Sequence, residues 1–245
     1  MPIVLVHGNP EVAAVWSDLI GELGRDDVAA LSPPGFGAPV PDGFGSTADE
    51  YADWLVGALE AFDEPVHLIG HDWGGGHVVN AMVRRPDLMA SVTTDIPGVF
   101  AEGYRWHDMA QAWRTPGAGE DAVGAMALVP LPDRVAMYEG LGMSPAAAAA
   151  CAAAVVDMGP SILALYRSAG EDILAATGRA VAAMDDRPPM HVIIATDDHY
   201  TGGEELALAT ASAWDATVHR LEGLGHWWMM QDPARGADVV RAIAG

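Results

Sequence analysis

The sequence predicts an α/β protein: a mostly parallel sheet of about six strands, helices on both faces, and a helical lid inserted into its second half. Three observations predict it. Short apolar runs alternate with amphipathic segments over the first hundred residues; the alternation lapses between about Gly98 and Met184 and then resumes; and the stretch LIGHDWGGG (68–76) joins an apolar run to a helix through a glycine-rich turn.

In chain order, IVLVH (3–7) has the continuous apolar character of a buried strand, VWSDLIGELG reads as a helix and DVAAL as a second strand. STADEYADWLVGALEAF is a long amphipathic helix and PVHLIG a third strand. After the glycines, HVVNAMVRRP reads as a helix stopped by Pro86, and SVTTDIP as another strand. From about Gly98 to Met184 the chain carries Met, Trp and Ala but no convincing strand until MHVIIATDD (190–198); ATVHRLEG and DPARGADVVRAIAG then restore a strand and a C-terminal helix. A helical block between two strands of one sheet is most simply a lid at the strands' carboxyl ends, where open α/β sheets bind ligands. Nothing resembling a linker flanks it. The expected division is a core of residues 1–98 and 185–245 and a lid of residues 99–184.

The 245 residues suit one domain with an inserted subdomain. A net charge of −22, with all twelve basic residues Arg, speaks against nucleic acid or an anionic membrane surface as partner, because no basic footprint is available to release counterions. No apolar run approaches the ~18 residues of a membrane span, and MPIVLVHGNP lacks a basic segment and a small-residue cleavage site, so a cytoplasmic location is expected. The single cysteine, Cys151, lies in an Ala-rich segment that reads as a buried helix; it allows no intrachain disulfide and no metal cluster. Neither cofactor nor metal is expected. The expected partners are a small hydrophobic substrate and water, with the chain a monomer or homodimer.

The turn in LIGHDWGGG has the pattern of a sharp strand-to-helix elbow, G-x-nucleophile-x-G, with Asp72 where a serine commonly stands. A serine must lose its proton before attacking, whereas a carboxylate near its ordinary pKa of ~3.9 is already anionic and suits displacement at saturated carbon. HGNP, closing the first strand, can aim the Asn9 N–H at the elbow; with the N–H of Trp73 it would form an oxyanion hole. His226, in LGHWWMMQDP after the last strand, stands where a base is needed, and the order nucleophile, acid, histidine is kept whichever acid serves. Asp198, just beyond the end of VIIATDD, is the preferred acid; Asp95, at the end of SVTTD, is its rival, and Asp197 reads as a cap or a solvated side chain.

Together HGNP, GHDWGGG, TDDHY and GHWW resemble the α/β-hydrolase superfamily, specifically its aspartate-nucleophile branch of epoxide hydrolases and haloalkane dehalogenases, over nearly the whole chain. Members generally carry a β-hairpin before the HGxP strand; this chain starts on that strand, which implies about six strands and not eight. The resemblance implies a covalent alkyl ester on Asp72, hydrolysed by water that His226 activates.

The lid separates the two chemistries. WRTPGAGEDA (113–122) and LALYRSA (163–169) resemble lid segments of epoxide hydrolases, which makes Tyr166 the candidate acid for the leaving oxygen, with Tyr138 a possible second tyrosine. For a dehalogenase, Asn9 and Trp73 are the pair that would hold a halide, and Trp113, standing where the first lid tyrosine is expected, would add an indole N–H. Trp106, Trp113, Trp227 and Trp228 suggest an apolar cavity. The reading is an epoxide hydrolase that yields a diol, with a haloalkane or haloacid dehalogenase as the alternative and a non-catalytic ligand-binding protein of the same fold behind both.

Overall fold

β1 (Ile3–Val6) and β3 (Val66–Gly70) are buried at every residue, as strands covered on both faces must be. They form the middle of a sheet with β2 (Val28–Leu31), β4 (Met89–Thr94), β5 (Met190–Ala195) and β6 (Thr217–Leu221), in the order β2-β1-β3-β4-β5-β6. Every neighbouring pair is parallel. These are features of a computed structural model that describes residues 1–245.

Helices α1 (Ser17–Leu23), α2 (Ala48–Leu59) and α3 (Trp73–Arg84) make the early crossovers, and α2 packs on α3. Thr47 caps α2 through a reciprocal pair of bonds with Glu50, which accounts for the sharp start of that helix. The expected helix after the glycines begins four residues early, at Trp73, so all three glycines lie in its first turn. Glycine disfavours a helix, but a Cβ on Gly74 would sit 2.1 Å from the Val6 carbonyl oxygen. The start of α3 is pressed against the end of β1, and only glycine fits there.

The chain leaves the sheet after β4 and returns at β5. Between them lie α4 (Asp108–Arg114), α5 (Ala118–Leu128), α6 (Leu131–Gly140), α7 (Pro145–Ala154), α8 (Gly159–Ser168) and α9 (Glu171–Ala182). After β5 comes α10 (Glu204–Ala213), which the sequence pattern did not announce. Its Ala207 and Ala211 pack on Val192 and Ile194 of β5. The short α11 (Trp228–Gln231) and α12 (Pro233–Ala244) close the chain, α12 against α1. Asn9, Asp72, Asp95, Asp198 and His226 thus all follow the carboxyl ends of strands.

Gly74→Ala should therefore cost about 2–3 kcal/mol, since backbone cannot yield as a flexible side chain would, and should lower the melting temperature by roughly 5–10 °C. A calorimetric scan showing no change would mean that α3 can lift away from β1.

Candidate active site

Between β3 and α3 the backbone turns through His71 and Asp72, and Asp72 is held at φ 49°, a conformation that side chains with a Cβ adopt only under strain. Space for its carboxylate comes from Gly8: a Cβ there would lie 2.2 Å from Asp72 Oδ1. The Asn9 N–H consequently reaches Asp72 Oδ1 at 3.0 Å. The Trp73 N–H, next in the chain, also favours the ionised form of the same carboxylate. Two N–H donors therefore converge where negative charge would build on Asp72 during ester hydrolysis.

His226 is 8% exposed, and its Nδ1 lies 2.8 Å from Asp198 Oδ2. Asp198 is steadied by the Tyr200 N–H, which donates to its Oδ1 at 2.8 Å. His226 Nε2 lies 3.7 Å from Asp72 Oδ2, beyond hydrogen-bond reach, so this nitrogen is free to take a proton from water. Burial raises the Asp72 carboxyl to about 6, against the pull of the His226 and His71 charges. Burial disfavours charge on His226, but Asp198 outweighs it and the imidazole ends above its ordinary value. Burial likewise lifts Asp198 less than His226 lowers it, so Asp198 stays ionised.

Asp95 does not touch His226. Its Oδ2 faces His71 Nδ1 at 2.6 Å and accepts the Trp228 indole N–H at 2.8 Å, while its Oδ1 takes the Asp72 backbone N–H at 3.0 Å. On the far side of His71, Nε2 lies 3.3 Å from Glu11 Oε1, which also accepts the Trp227 indole N–H. Glu11 is a residue that the sequence reading passed over. The available signal was an acid directly after HGNP with apolar neighbours. Ligand atoms of Glu11, His71 and His226 lie within 4.8 Å of one another, but both His71 nitrogens face carboxylates, which leaves no lone pair for a metal.

A cavity opens beside Asp72, lined by Trp73, Tyr104, Trp106, Tyr166, Tyr200 and apolar side chains of Ile96, Val99 and Leu174. It is nearly shut: the space open to the centres of water molecules is about 20 Å³, little more than one water occupies on that measure. Of the expected lid residues, Tyr166 and Trp106 line it. Trp113 and Tyr138 do not, which corrects both expectations. Trp113 is packed behind Tyr166, ring centroids 4.9 Å apart, and the Tyr138 hydroxyl donates to the Pro10 carbonyl at 2.9 Å. Trp227 and Trp228 are likewise engaged with the carboxylates behind the nucleophile and leave the cavity wall to others. Tyr104 and His107 are lining residues that no motif disclosed, and Tyr200, the last residue of TDDHY, lines the cavity with them. Burial and the Asp72 charge push the Tyr166 hydroxyl well above the usual phenol range, with the Trp73 indole pulling the other way.

A parallel sheet with the helical block between β4 and β5, and Asp72, Asp198 and His226 after β3, β5 and β6, is matched from residue 3 to 239 by the profile of the alpha/beta hydrolase family. The chain belongs to this family. Among curated relatives, this α/β hydrolase is 35% identical over 95 residues to haloalkane dehalogenase 2 of Mycobacterium bovis, covering 37% of this chain and 33% of that one. It is 29% identical over 96 residues to an epoxide hydrolase of Caballeronia sordidicola, covering 37% and 29%. The matches thus span about a third of the relatives' length. Among solved structures, haloalkane dehalogenase DbeA of Bradyrhizobium elkani superposes with a TM-score of 0.72 at 22% identity, over 100% of this chain and 90% of that one. The meta-cleavage product hydrolase CumD of Pseudomonas fluorescens gives 0.75 at 17% identity, over 99% and 90%. At such identities the likeness carries the fold alone. The curated relatives matched over that third include haloalkane dehalogenases and an epoxide hydrolase.

The two acids should separate cleanly on substitution. Asp198→Asn is expected to cut turnover by about 10⁴-fold, as loss of the orienting acid does in serine triads, with a nearly unchanged melting curve. Asp95→Asn breaks a fully buried charge pair and should cost ~3–5 kcal/mol of stability with the smaller loss of turnover. A larger loss of turnover in folded Asp95→Asn protein than in Asp198→Asn protein would exchange their roles.

Proposed function

We propose that this α/β hydrolase opens epoxides to diols through an alkyl ester on Asp72. The observation that carries the reading is the buried Tyr166 hydroxyl, lining the same small cavity as the Asp72 carboxylate. In the first step an Asp72 oxygen attacks a ring carbon, the carbon–oxygen bond breaks, and Tyr166 gives its proton to the departing oxygen. A phenol that holds its proton this firmly can still yield it to an alkoxide, a far stronger base. In the second step His226 Nε2 takes a proton from water and the hydroxide attacks Asp72 Cγ. The Asn9 and Trp73 N–H groups hold the resulting oxyanion, and its collapse expels the diol. The proton passes from His226 to the departing alkoxide oxygen, and water's second proton, left on the Asp72 carboxyl, returns to the Tyr166 phenolate; one epoxide and one water give one diol. Tyr104, also on the cavity wall, is a second hydroxyl on this side of Asp72. Because the closed cavity holds little more than a water, admitting any carbon substrate requires the lid side chains to move.

The alternative is a dehalogenase using the same ester. Supporting it, the Asn9 side-chain amide and the Trp113 indole N–H are both buried with no hydrogen-bond partner; against it, neither residue lines the cavity beside Asp72.

His226→Gln protein mixed with a small epoxide is expected to gain the mass of the intact epoxide and stop, whereas Asp72→Asn should gain nothing. No mass gain in His226→Gln with a substrate that wild type turns over would remove the ester from the mechanism. Tyr166→Phe keeps the ring and should slow alkylation by an epoxide by ~10²–10⁴-fold while sparing ester hydrolysis. An unchanged alkylation rate, together with halide release from a haloalkane panel, would select the dehalogenase.

A further inference from the structure

The lid carries a second pocket, which neither proposed step uses. Arg105, Gln111, Arg114, Thr115, Arg167 and Glu171 line it without one apolar side chain, and the space open to the centres of water molecules is about 410 Å³. Three arginines against one glutamate reverse the balance of the chain, in which 34 acids face twelve basic residues. Acids are so plentiful that nine of the arginines are paired with one. Arg114 is among them, its Nη1 2.6 Å from Glu171 Oε2, and so is Arg167, whose two Nη groups lie 2.8 and 2.9 Å from the Glu120 carboxylate. Both also stand in the last turns of helices, α4 and α8, where the free carbonyl ends favour a cation. Neither reason accounts for Arg105. It lies in the segment ahead of α4, is exposed, and makes one hydrogen bond within the protein, from Nη1 to the Tyr104 carbonyl at 2.8 Å.

We propose that this pocket binds the carboxylate of a small organic acid, with Arg105 as its chief donor and Arg114 and Arg167 completing a positive wall. A guanidinium presents N–H donors in a fork that matches a carboxylate, and bonds of this charged kind are the strong ones. Arg105 keeps Nε and Nη2 for such a ligand, Arg114 likewise, and Arg167 its Nε. Glu171, the one acid on the wall, is engaged by Arg114, so its charge is already answered. Three like charges gathered around one pocket repel, and a bound anion removes that repulsion. The space suits a compound of a few carbons.

The pocket shares its walls with the cavity beside Asp72. Arg105 is exposed between Tyr104 and Trp106, both buried and both lining that cavity. Arg167 follows Tyr166, and Glu171 stands one turn before Leu174 on α9; Tyr166 and Leu174 line the cavity too. An anion held by these arginines therefore bears on the wall that has to move before a substrate enters. The carboxylate has two sources: the tail of a substrate whose reacting end lies at Asp72, which rests on the proposed function, or a separate acid that steadies the lid, which does not.

The test is calorimetric titration of the whole protein with succinate and, separately, with citrate at low ionic strength, where exposed charges are least screened. Saturable binding is expected, weakened about tenfold or more in Arg105→Gln, as loss of a charged hydrogen-bond donor implies. Arg187→Gln removes another arginine whose partner is a carbonyl, away from the pocket, and should bind as wild type does. Arg105→Gln breaks no ion pair and should fold; Arg105→Lys, which keeps the charge and loses the fork, is the second variant and should also bind more weakly. No saturable binding would overturn the proposal, as would binding of inorganic phosphate alone. Equal binding by wild type and both Arg105 variants would mean an adventitious ion only, and would overturn it as well. The source is read from turnover. Preference for an ω-epoxyalkanoate over its methyl ester, lost in Arg105→Gln, assigns the carboxylate to the substrate; a rate on a neutral epoxide that succinate alters in wild type and not in Arg105→Gln assigns it to a separate acid. Binding that changes neither rate in protein that turns the epoxides over would again be adventitious. Titration needs no turnover, so failure of both epoxides to react removes the proposed function and leaves the binding result standing, while loss of binding removes this proposal alone.

Discussion

The proposed reaction requires Asp72 to be an anion although its side chain is only 17% exposed, and the carboxyl ends of the strands are arranged around that requirement. Burial pushes its carboxyl upward to about 6. Two backbone N–H groups answer on one side, and two imidazoles on the other. The N–H groups are available only because Gly8 has no side chain and because the elbow tolerates a positive φ at Asp72. The turn strain and the close packing of α3 on β1 are thus parts of one electrostatic arrangement, in which backbone geometry replaces the solvation that burial removes.

The buried histidines show that partners, more than depth, decide charge. His7 and His77 are as deeply buried as His71, yet with no carboxylate at hydrogen-bond distance both fall, His77 to about 3. His77 instead stacks on Tyr51, ring centroids 4.6 Å apart. His226 has one carboxylate on Nδ1 and keeps Nε2 free, the arrangement suited to moving a proton. His71 has a carboxylate on each nitrogen and is suited to holding one.

The six strands and the elbow were legible because their signals are local. A strand buried on both faces needs an unbroken apolar run, and a tight turn around a nucleophile needs glycines at fixed offsets. The candidate base and acid were legible from chain order, and Asp198 does stand against His226. What was not legible depends on distant packing. EELALATASA carries only a weak apolar stripe, so α10 shows itself only through its seat on β5. Trp113 and Tyr166 lie on neighbouring helices α4 and α8, and only the docking of those helices puts Tyr166 at the wall and Trp113 behind it. Glu11 and His71 stand beside motifs that were read, but their meaning comes from Asp95, beyond the next strand.

The insertion of the lid between β4 and β5 divides the site along the chain. Asn9, Glu11, His71, Asp72, Trp73 and Asp95 all precede it, while Asp198 and His226 arrive only when β5 pairs with β4 across the whole helical block, Val92 opposite Met190. Loop closure over such a length costs entropy that grows only slowly with length, so the join is affordable, but it is non-local. On the proposed mechanism, a chain emerging from the ribosome would therefore assemble its attacking carboxylate before it possessed any means of regenerating it. Until the last two strands dock, that mechanism would make such a chain a single-use trap for electrophiles, and repeated turnover would be the mark of a molecule whose two ends have met.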